Sequence, residues 1–208
     1  MKKLSITLLA GFLVLAVLIS FSFASWLFYH KPEFKGKVID AETRQPIDGV
    51  VVVAMYQTHT LISGPGGGYS SIIHVKEALT GKSGEFHIPS YTTIIQPNSL
   101  EDRVGFIFYK PGYGGQVQPP HVVGLESLFS QEIGTKGELL VESIRGNKTI
   151  AFTYGVVELR RVETKQERLR AIPGRPSELS PEDMPFLNKA INEERKRFGL
   201  GPIGRVRE

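Results

Sequence analysis

"FKGKVIDAETRQPIDGVVVVAMY", Phe34 to Tyr56, decides the fold. Two β-branched runs, Gly36–Asp40 and Val50–Thr58, flank a cluster of turn residues from Asp40 to Gly49. Each turn residue has a physical reason to be there. Asp40 and Thr43 can bond backbone groups of the turn, Pro46 presets its dihedral, and Gly49 permits a tight exit into the second run. The pattern predicts two short strands joined by a structured turn.

The same grammar continues downstream. Short β-rich runs alternate with Gly, Pro, Asn and Ser clusters, giving further strands at Ile72–Leu79, Glu85–Ile88, Val104–Tyr109, Glu138–Ile144 and Thr149–Val162. With the first two these make seven short strands without a long helical interruption, which predicts a sandwich or partly open barrel. Phe86 and Ile88 share one face, Glu85 and His87 the other. In the last run Ile150, Phe152 and Tyr154 have one parity and Val157 and Leu159 the opposite, with Gly155 at the switch. A bulge or bend is expected there, because one extra residue flips the register and Gly tolerates the backbone required. The longest irregular insertions are "SGPGGGYSS", Ser63 to Ser71, and Pro111 to Gly137. Long loops on a rigid scaffold are where binding is expected.

The residues Gly36, Val38, Asp40, Thr43, Pro46-Ile47, Gly49, Val50 and Val52 resemble the first hairpin of carboxypeptidase regulatory-like (transthyretin-like) domains, which reads G-x-V-x-D-x-x-T-G-x-P-I-x-G-A-x-V. The next signature of that family, T-D-x-x-G-x-F, is similar to Thr80, Gly84 and Phe86. A strand followed by G-Y corresponds to Val104–Lys110 and Gly112-Tyr113. Arg44 stands where the family has Gly, and Gly81 where it has Asp. The likeness covers residues 34–114, and 138–160 by strand pattern only. It implies a Greek-key, prealbumin-like β-sandwich over 34–162, serving as an accessory, stalk or binding module and not as a catalyst.

Ahead of that domain lies Met1-Lys2-Lys3, a short cytoplasmic start, then an uncharged run to Tyr29. Ile6 to Tyr29 is 24 residues, roughly 36 Å of helix at about 1.5 Å per residue, enough to cross about 30 Å of hydrocarbon. Residues 4–30 are therefore expected to form a transmembrane helix, a signal anchor. Trp26 and Tyr29 would lie in an interfacial aromatic belt, and His30-Lys31-Pro32 would end the span. A cleaved signal peptide with small residues at Ser22-Phe23-Ala24 is the rival reading. The expectation is a single-pass protein of the cytoplasmic (inner) membrane with its main domain extracytoplasmic, tethered by only His30 to Phe34.

After Val162 the character changes. Residues 163–208 form a charged tail; from Glu158 onward it holds twelve Lys/Arg and nine Asp/Glu, most of the net +4. Thr164 to Glu167 fits a capping box opening a short helix, which "AIPGRP" breaks. Ser180-Pro181-Glu182-Asp183 is a second helix start, with Pro185 expected to disturb its first turn. Leu187, Ala190, Ile191, Glu194 and Phe198 follow at helical spacing, and Gly199 is placed to cap the end. That narrow apolar stripe either docks on the sandwich or contacts a partner or the membrane surface. The tail helix is the favoured protein contact, on an envelope partner.

No catalytic, cofactor or metal residues are nominated. Cys is absent, which excludes disulfides, thiolate sites and a cysteine nucleophile. "TGKSG", Thr80–Gly84, mimics the end of a phosphate loop, but Lys76 occupies the required Gly position and a hairpin turn explains it. The five histidines, His30, His59, His74, His87 and His121, show no metal-binding spacing, although His74 and His87 fall on strands expected to be neighbours. G-x-S-x-G is missing, and "GRVRE" lacks the Tyr-Arg-Gly-Ser ending of transthyretin-like hydroxyisourate hydrolases. Asn147-Lys148-Thr149 is a formal glycosylation sequon. The interspersed charges argue against nucleic acid as a partner. Carbohydrate is the alternative ligand, stacked on a platform of Tyr56, Tyr69, Tyr91, Tyr109 and Tyr113, or bound by the Ser63–Ser71 loop.

Overall fold

The computed structural model describes residues 28–61, 68–95, 98–116, 125–141 and 148–203. The expectations for residues 1–27, for the centre of the Ser63–Ser71 loop, for His121 and for Asn147 lie outside them. The chain is mainly β, as expected. Its strands are β1 Phe28–Lys31, β2 Phe34–Asp40, β3 Val51–Thr60, β4 Ser70–Leu79, β5 Glu85–Ile88, β6 Tyr91–Ile94, β7 Ser99–Tyr109, β8 Tyr113–Gln116, β9 Lys136–Val141, β10 Lys148–Thr153 and β11 Val156–Arg161. Among the described residues there are also three α-helices, α1 Leu125–Phe129, α2 Lys165–Arg170 and α3 Pro185–Arg197.

The strands make a four-stranded sheet, β5-β2-β11-β8, a three-stranded sheet, β4-β3-β7, and two two-stranded pairs, β1-β6 and the hairpin β9-β10. β11 runs parallel to β2, and the other pairs are antiparallel. Side chains of both larger sheets meet in one core that includes Phe34, Val38, Val52, Tyr56, Phe106 and Leu159.

The opening stretch is therefore a crossover and not a hairpin. β2 is already flanked by β5 and β11, so no edge remains for β3, which leaves for the opposite sheet. The turn chemistry is as the residues demand. The Asp40 carboxylate accepts from the backbone N–H of Thr43 (2.9 Å) and Glu42 (3.0 Å) and from Arg161 Nε (2.9 Å). These donors, Thr43 first, hold its pKa down to about 2. Arg44 takes a left-handed φ of 61°, a conformation that glycine adopts without strain, and Gly49 exits at φ 66°. Thr80 locks the crossover from beneath: its buried hydroxyl accepts from Val50 N–H (2.8 Å) and donates to Ile47 C=O (2.7 Å). Gly84 is required by contact as well as by its φ of 77°, since a Cβ there would lie 2.5 Å from the Val38 carbonyl oxygen.

Three strands escaped the sequence reading. β1 lay inside the expected span, and β6 and β8 are only four residues long. β1 and β6 prolong the β2-β5 ladder in the same register: Phe34 faces Ile88, Lys31 faces Tyr91 and Phe28 faces Ile94. The ladder is interrupted at Pro32-Glu33 and Pro89-Ser90, where proline supplies no N–H. Lys76 Nζ satisfies the interrupted backbone by donating to the carbonyls of Pro89 (3.0 Å) and Ser90 (2.8 Å).

This overturns part of the anchor expectation. Phe28 to His30, the last three residues assigned to a helix over 4–30, are strand, and Tyr29 is fully buried in the core instead of lying in an aromatic belt. The supposed tether of His30 to Phe34 is likewise built into the domain. Among the described residues no helix is long and apolar enough to cross a membrane.

The bend at Gly155 is present. It turns at φ 69° and splits the last run into β10 and β11, which belong to different sheets. The tail folds back on the opposite face of β3. Val51, Val53 and Met55 point away from the main core and pack with Tyr109, Met184, Leu187, Ala190 and Ile191 in a second core. α3's apolar stripe is consumed there, so it cannot also be the exposed protein contact. Pro185 opens α3 instead of disturbing it, after a separate 3₁₀ turn at Pro181–Asp183. At the first helical position proline forfeits no intrahelical bond. The Thr164–Glu167 capping box forms on α2, and Gly199 closes α3 at φ 71°.

Candidate functional site

The end of the domain where β1 begins concentrates buried charge and aromatic side chains. Alternation on β1 sends Tyr29 and Lys31 inward and leaves Phe28 and His30 outside. An inward lysine needs counter-charges. Lys31 Nζ lies 2.8 Å from Glu101 Oε1 on β7 and 2.7 Å from Glu126 Oε2 on α1. The other Glu126 oxygen accepts from Val104 N–H, so one carboxylate fastens α1 to both β1 and β7. Burial pulls the Lys31 pKa down, but the two carboxylates outweigh it and hold the ammonium above its ordinary range. A raised lysine pKa contributes stability throughout the neutral range and loses it only as pH climbs past the unfolded value. Lys31→Met is expected to cost about 2–3 kcal/mol, less than a fully buried pair because Glu101 is partly solvated. The urea midpoint at pH 7 checks this.

Beside this triad the rings of Tyr29, Tyr56, Tyr91 and His74 pack together. His74 stacks on Tyr91 at 4.3 Å between centroids, and Tyr91 lies 4.8 Å from Tyr56. Burial depresses the His74 pKa, with Lys76 adding to the effect, so the ring is neutral at pH 7. Among the described residues the buried Tyr56 hydroxyl has no hydrogen-bond partner. Burial, with Tyr91 and Glu126 nearby, pushes its pKa up to about 12. An unsatisfied buried hydroxyl costs about 1–3 kcal/mol, so Tyr56→Phe is expected to stabilise the protein by about 1 kcal/mol at pH 7. The gain should widen as pH rises above about 10, because there the unfolded tyrosine ionises while the folded one does not. Urea melts of both proteins at pH 7 and pH 10.5 test it, and a destabilised variant contradicts the assignment.

No family model, curated protein or solved structure matches the chain. Its chemistry must be read from its own geometry.

The residues singled out from sequence are dispersed. The tyrosine platform does not assemble. Tyr56 is buried in the main core and Tyr109 in the second, Tyr91 and Tyr113 are half-buried, and Tyr69 alone is exposed. His87 pairs with Glu33 (2.9 Å) and His30 with Thr92 Oγ1 (2.7 Å), away from the His74 stack. Among the described residues no group of three or more potential ligands could hold a metal ion. "TGKSG" is the turn between β4 and β5. The sequence reading missed Lys31, Glu101 and Glu126. The signal was the Phe28–Lys31 alternation before Pro32, hidden by the apolar run preceding it.

A second feature lies where the β7 and β8 edges of the two sheets approach each other. The segment Arg170–Gly174 covers the gap and leaves a cleft of about 390 Å³. Ile107, Leu159, Ile172 and Pro173 supply apolar walls, with Tyr109 inside and exposed Arg170 beside them. The Tyr109 hydroxyl has no hydrogen-bond partner among the described residues. Such a mixed lining suits a small amphipathic molecule with a polar group for Arg170 or Tyr109.

Proposed function

We propose that this protein is a single-pass membrane protein of the cytoplasmic membrane whose extracytoplasmic β-sandwich acts without catalysis, as a structural or protein-binding module of the cell envelope. One observation carries the reading. The apolar run reaches Leu27, and the next residue, Phe28, is already hydrogen-bonded strand with Tyr29 in the core. Ile6 to Leu27 is 22 residues, roughly 33 Å of helix at about 1.5 Å per residue, so the span survives the loss of its last three residues to β1. A domain joined to a span without a linker is held at the membrane surface, and its partner is found there too.

The resemblance to carboxypeptidase regulatory-like domains supports a Greek-key, prealbumin-like arrangement and a binding role. Of the residues that carry it, Asp40, Thr80 and Gly84 hold the crossover together here. With α3's apolar stripe buried, the protein contact falls to the sandwich itself. The full chain is expected to stay with membranes after carbonate extraction, to be digested by protease only from the extracytoplasmic side, and to crosslink a membrane-associated protein. Recovery of the full-length chain in the soluble fraction overturns the reading.

The cleft beneath Arg170–Gly174 favours a second reading, an exported small-ligand-binding module. Thermal-shift screening against small amphipathic acids tests it. Loss of any hit in Arg170→Glu, which reverses the charge at the exposed rim of the cleft, would support it.

A further inference from the structure

We infer that the β1 end of the domain is itself seated in the lipid interface, through Phe28, Leu61, Tyr69, Ile94 and Leu100. The inference rests on the anchored reading above and adds which surface meets the bilayer. Ten described large hydrophobic side chains are exposed, and these five share one end, at 50%, 54%, 59%, 70% and 43% exposure respectively. The other five are scattered over β4, the region before β9 and the tail.

Their common placement follows from strand register. β3 ends at Thr60, whose N–H bonds the Tyr69 carbonyl (3.0 Å), and Leu61 N–H bonds the Asn98 carbonyl (2.8 Å). His59 faces Leu100 across the β3-β7 ladder. Ile94 lies four residues before Asn98, within roughly 14 Å of it even when fully extended. Ile94 in turn faces Phe28, the residue that follows the apolar run. The patch thus surrounds the place where residues 1–27 join the domain. A span of 22 apolar residues ending there brings hydrocarbon to this surface before any other. Clustered exposed apolar side chains of this kind mark interaction surfaces, and Tyr69 suits the headgroup level. At this end Lys31 is tied to Glu101 and Glu126, and Asp102 accepts from Ser70 Oγ (2.6 Å), while Glu101 and Arg103 keep part of their side chains in solvent, where such groups reach the headgroup level beside a buried apolar patch.

The protein contains no cysteine, so single labels can be introduced into the full chain. An environment-sensitive fluorophore is attached to Ile94→Cys, to Leu100→Cys and, as control, to Lys82→Cys. Lys82 sits in the turn beyond the other end of β3, roughly 30 Å away at about 3.3 Å per residue. The proteins are reconstituted into phosphatidylcholine–phosphatidylglycerol vesicles with or without brominated acyl chains. Labels at 94 and 100 are expected to shift to the blue and lose at least half of their emission in brominated vesicles, with Lys82→Cys unchanged. Co-flotation with the vesicles but quenching at 94 and 100 no greater than at 82 overturns the inference and leaves the anchor standing. A blue shift without bromine quenching means that protein, a second copy included, covers the patch, and it overturns the inference equally. Failure to co-float overturns the anchored reading, and this inference with it.

Discussion

A chain ending at Pro173 is expected not to fold. The tail looks dispensable by composition, being charged, rich in proline and lying after the last strand. In the fold it supplies half of a core. Met184, Leu187 and Ile191 are essentially inaccessible to solvent, packed on Val51, Val53, Met55 and Tyr109. At about 1.5–3 kcal/mol for each fully buried large side chain, those three alone account for about 5–9 kcal/mol. That is comparable with the whole stability of a typical domain, about 5–15 kcal/mol. Truncation would also bare an apolar sheet face. Loss of the near-ultraviolet circular dichroism of the tyrosines, with aggregation, is the expected observation. Leu187→Ala is the milder probe, expected to lower stability by about 2–5 kcal/mol without abolishing folding. A truncated protein with an unchanged urea midpoint would show that the second core contributes nothing.

The second large effect concerns Arg168. Its guanidinium holds the Glu194 carboxylate with two parallel bonds, Nε to Oε1 at 2.6 Å and Nη2 to Oε2 at 2.8 Å. Glu194 is 1% exposed, and Arg197 at 3.9 Å is its other cation. Glu194 raises the Arg168 pKa further, so the guanidinium carries its charge at every practical pH. Removing the cation strands a buried carboxylate, and Arg168→Met is expected to cost about 3–5 kcal/mol. For a chain of this length that lowers Tm by roughly 10 °C. The double variant Arg168→Met/Glu194→Met should recover most of the loss, since a buried ion pair replaced by apolar groups of similar size is often neutral. A double variant no better than the single would mean that Arg168 acts through packing, for example through its stacking on Phe198, and not through Glu194.

Glu194 also illustrates what periodicity conveys. It falls on the same helical stripe as Leu187, Ala190 and Ile191, so the spacing marks it as inward-facing. Its partner is on another helix, 26 residues earlier, and no local pattern announces a pairing across that separation. Lys31 is the same case on a larger scale. Its alternation with Tyr29 is visible in four residues, but Glu101 and Glu126 become its partners only when β7 and α1 arrive. The preceding apolar run made those four residues look like the end of a span, because hydropathy does not distinguish lipid from a protein core.

Local chemistry was legible wherever one residue's backbone preference decides the outcome. The Asp40–Gly49 turn, the Thr164 capping box, the break at Gly155 and the exit at Gly199 all follow from dihedral limits or from side chains that bond their own neighbourhood. The unbroken apolar run Val50–Tyr56 also shows by itself that β3 is covered on both faces, since a half-exposed strand alternates. Tertiary structure alone decided what covers each face: β2 and β5 across the main core, α3 on the other. It also sent β2 and β3 into different sheets, because strand pairing depends on which edges remain open and not on the turn between them. Side-chain alternation and turn geometry are properties of adjacent residues, whereas sheet partners, buried counter-charges and the apolar patch at the β1 end are properties of distant segments brought together.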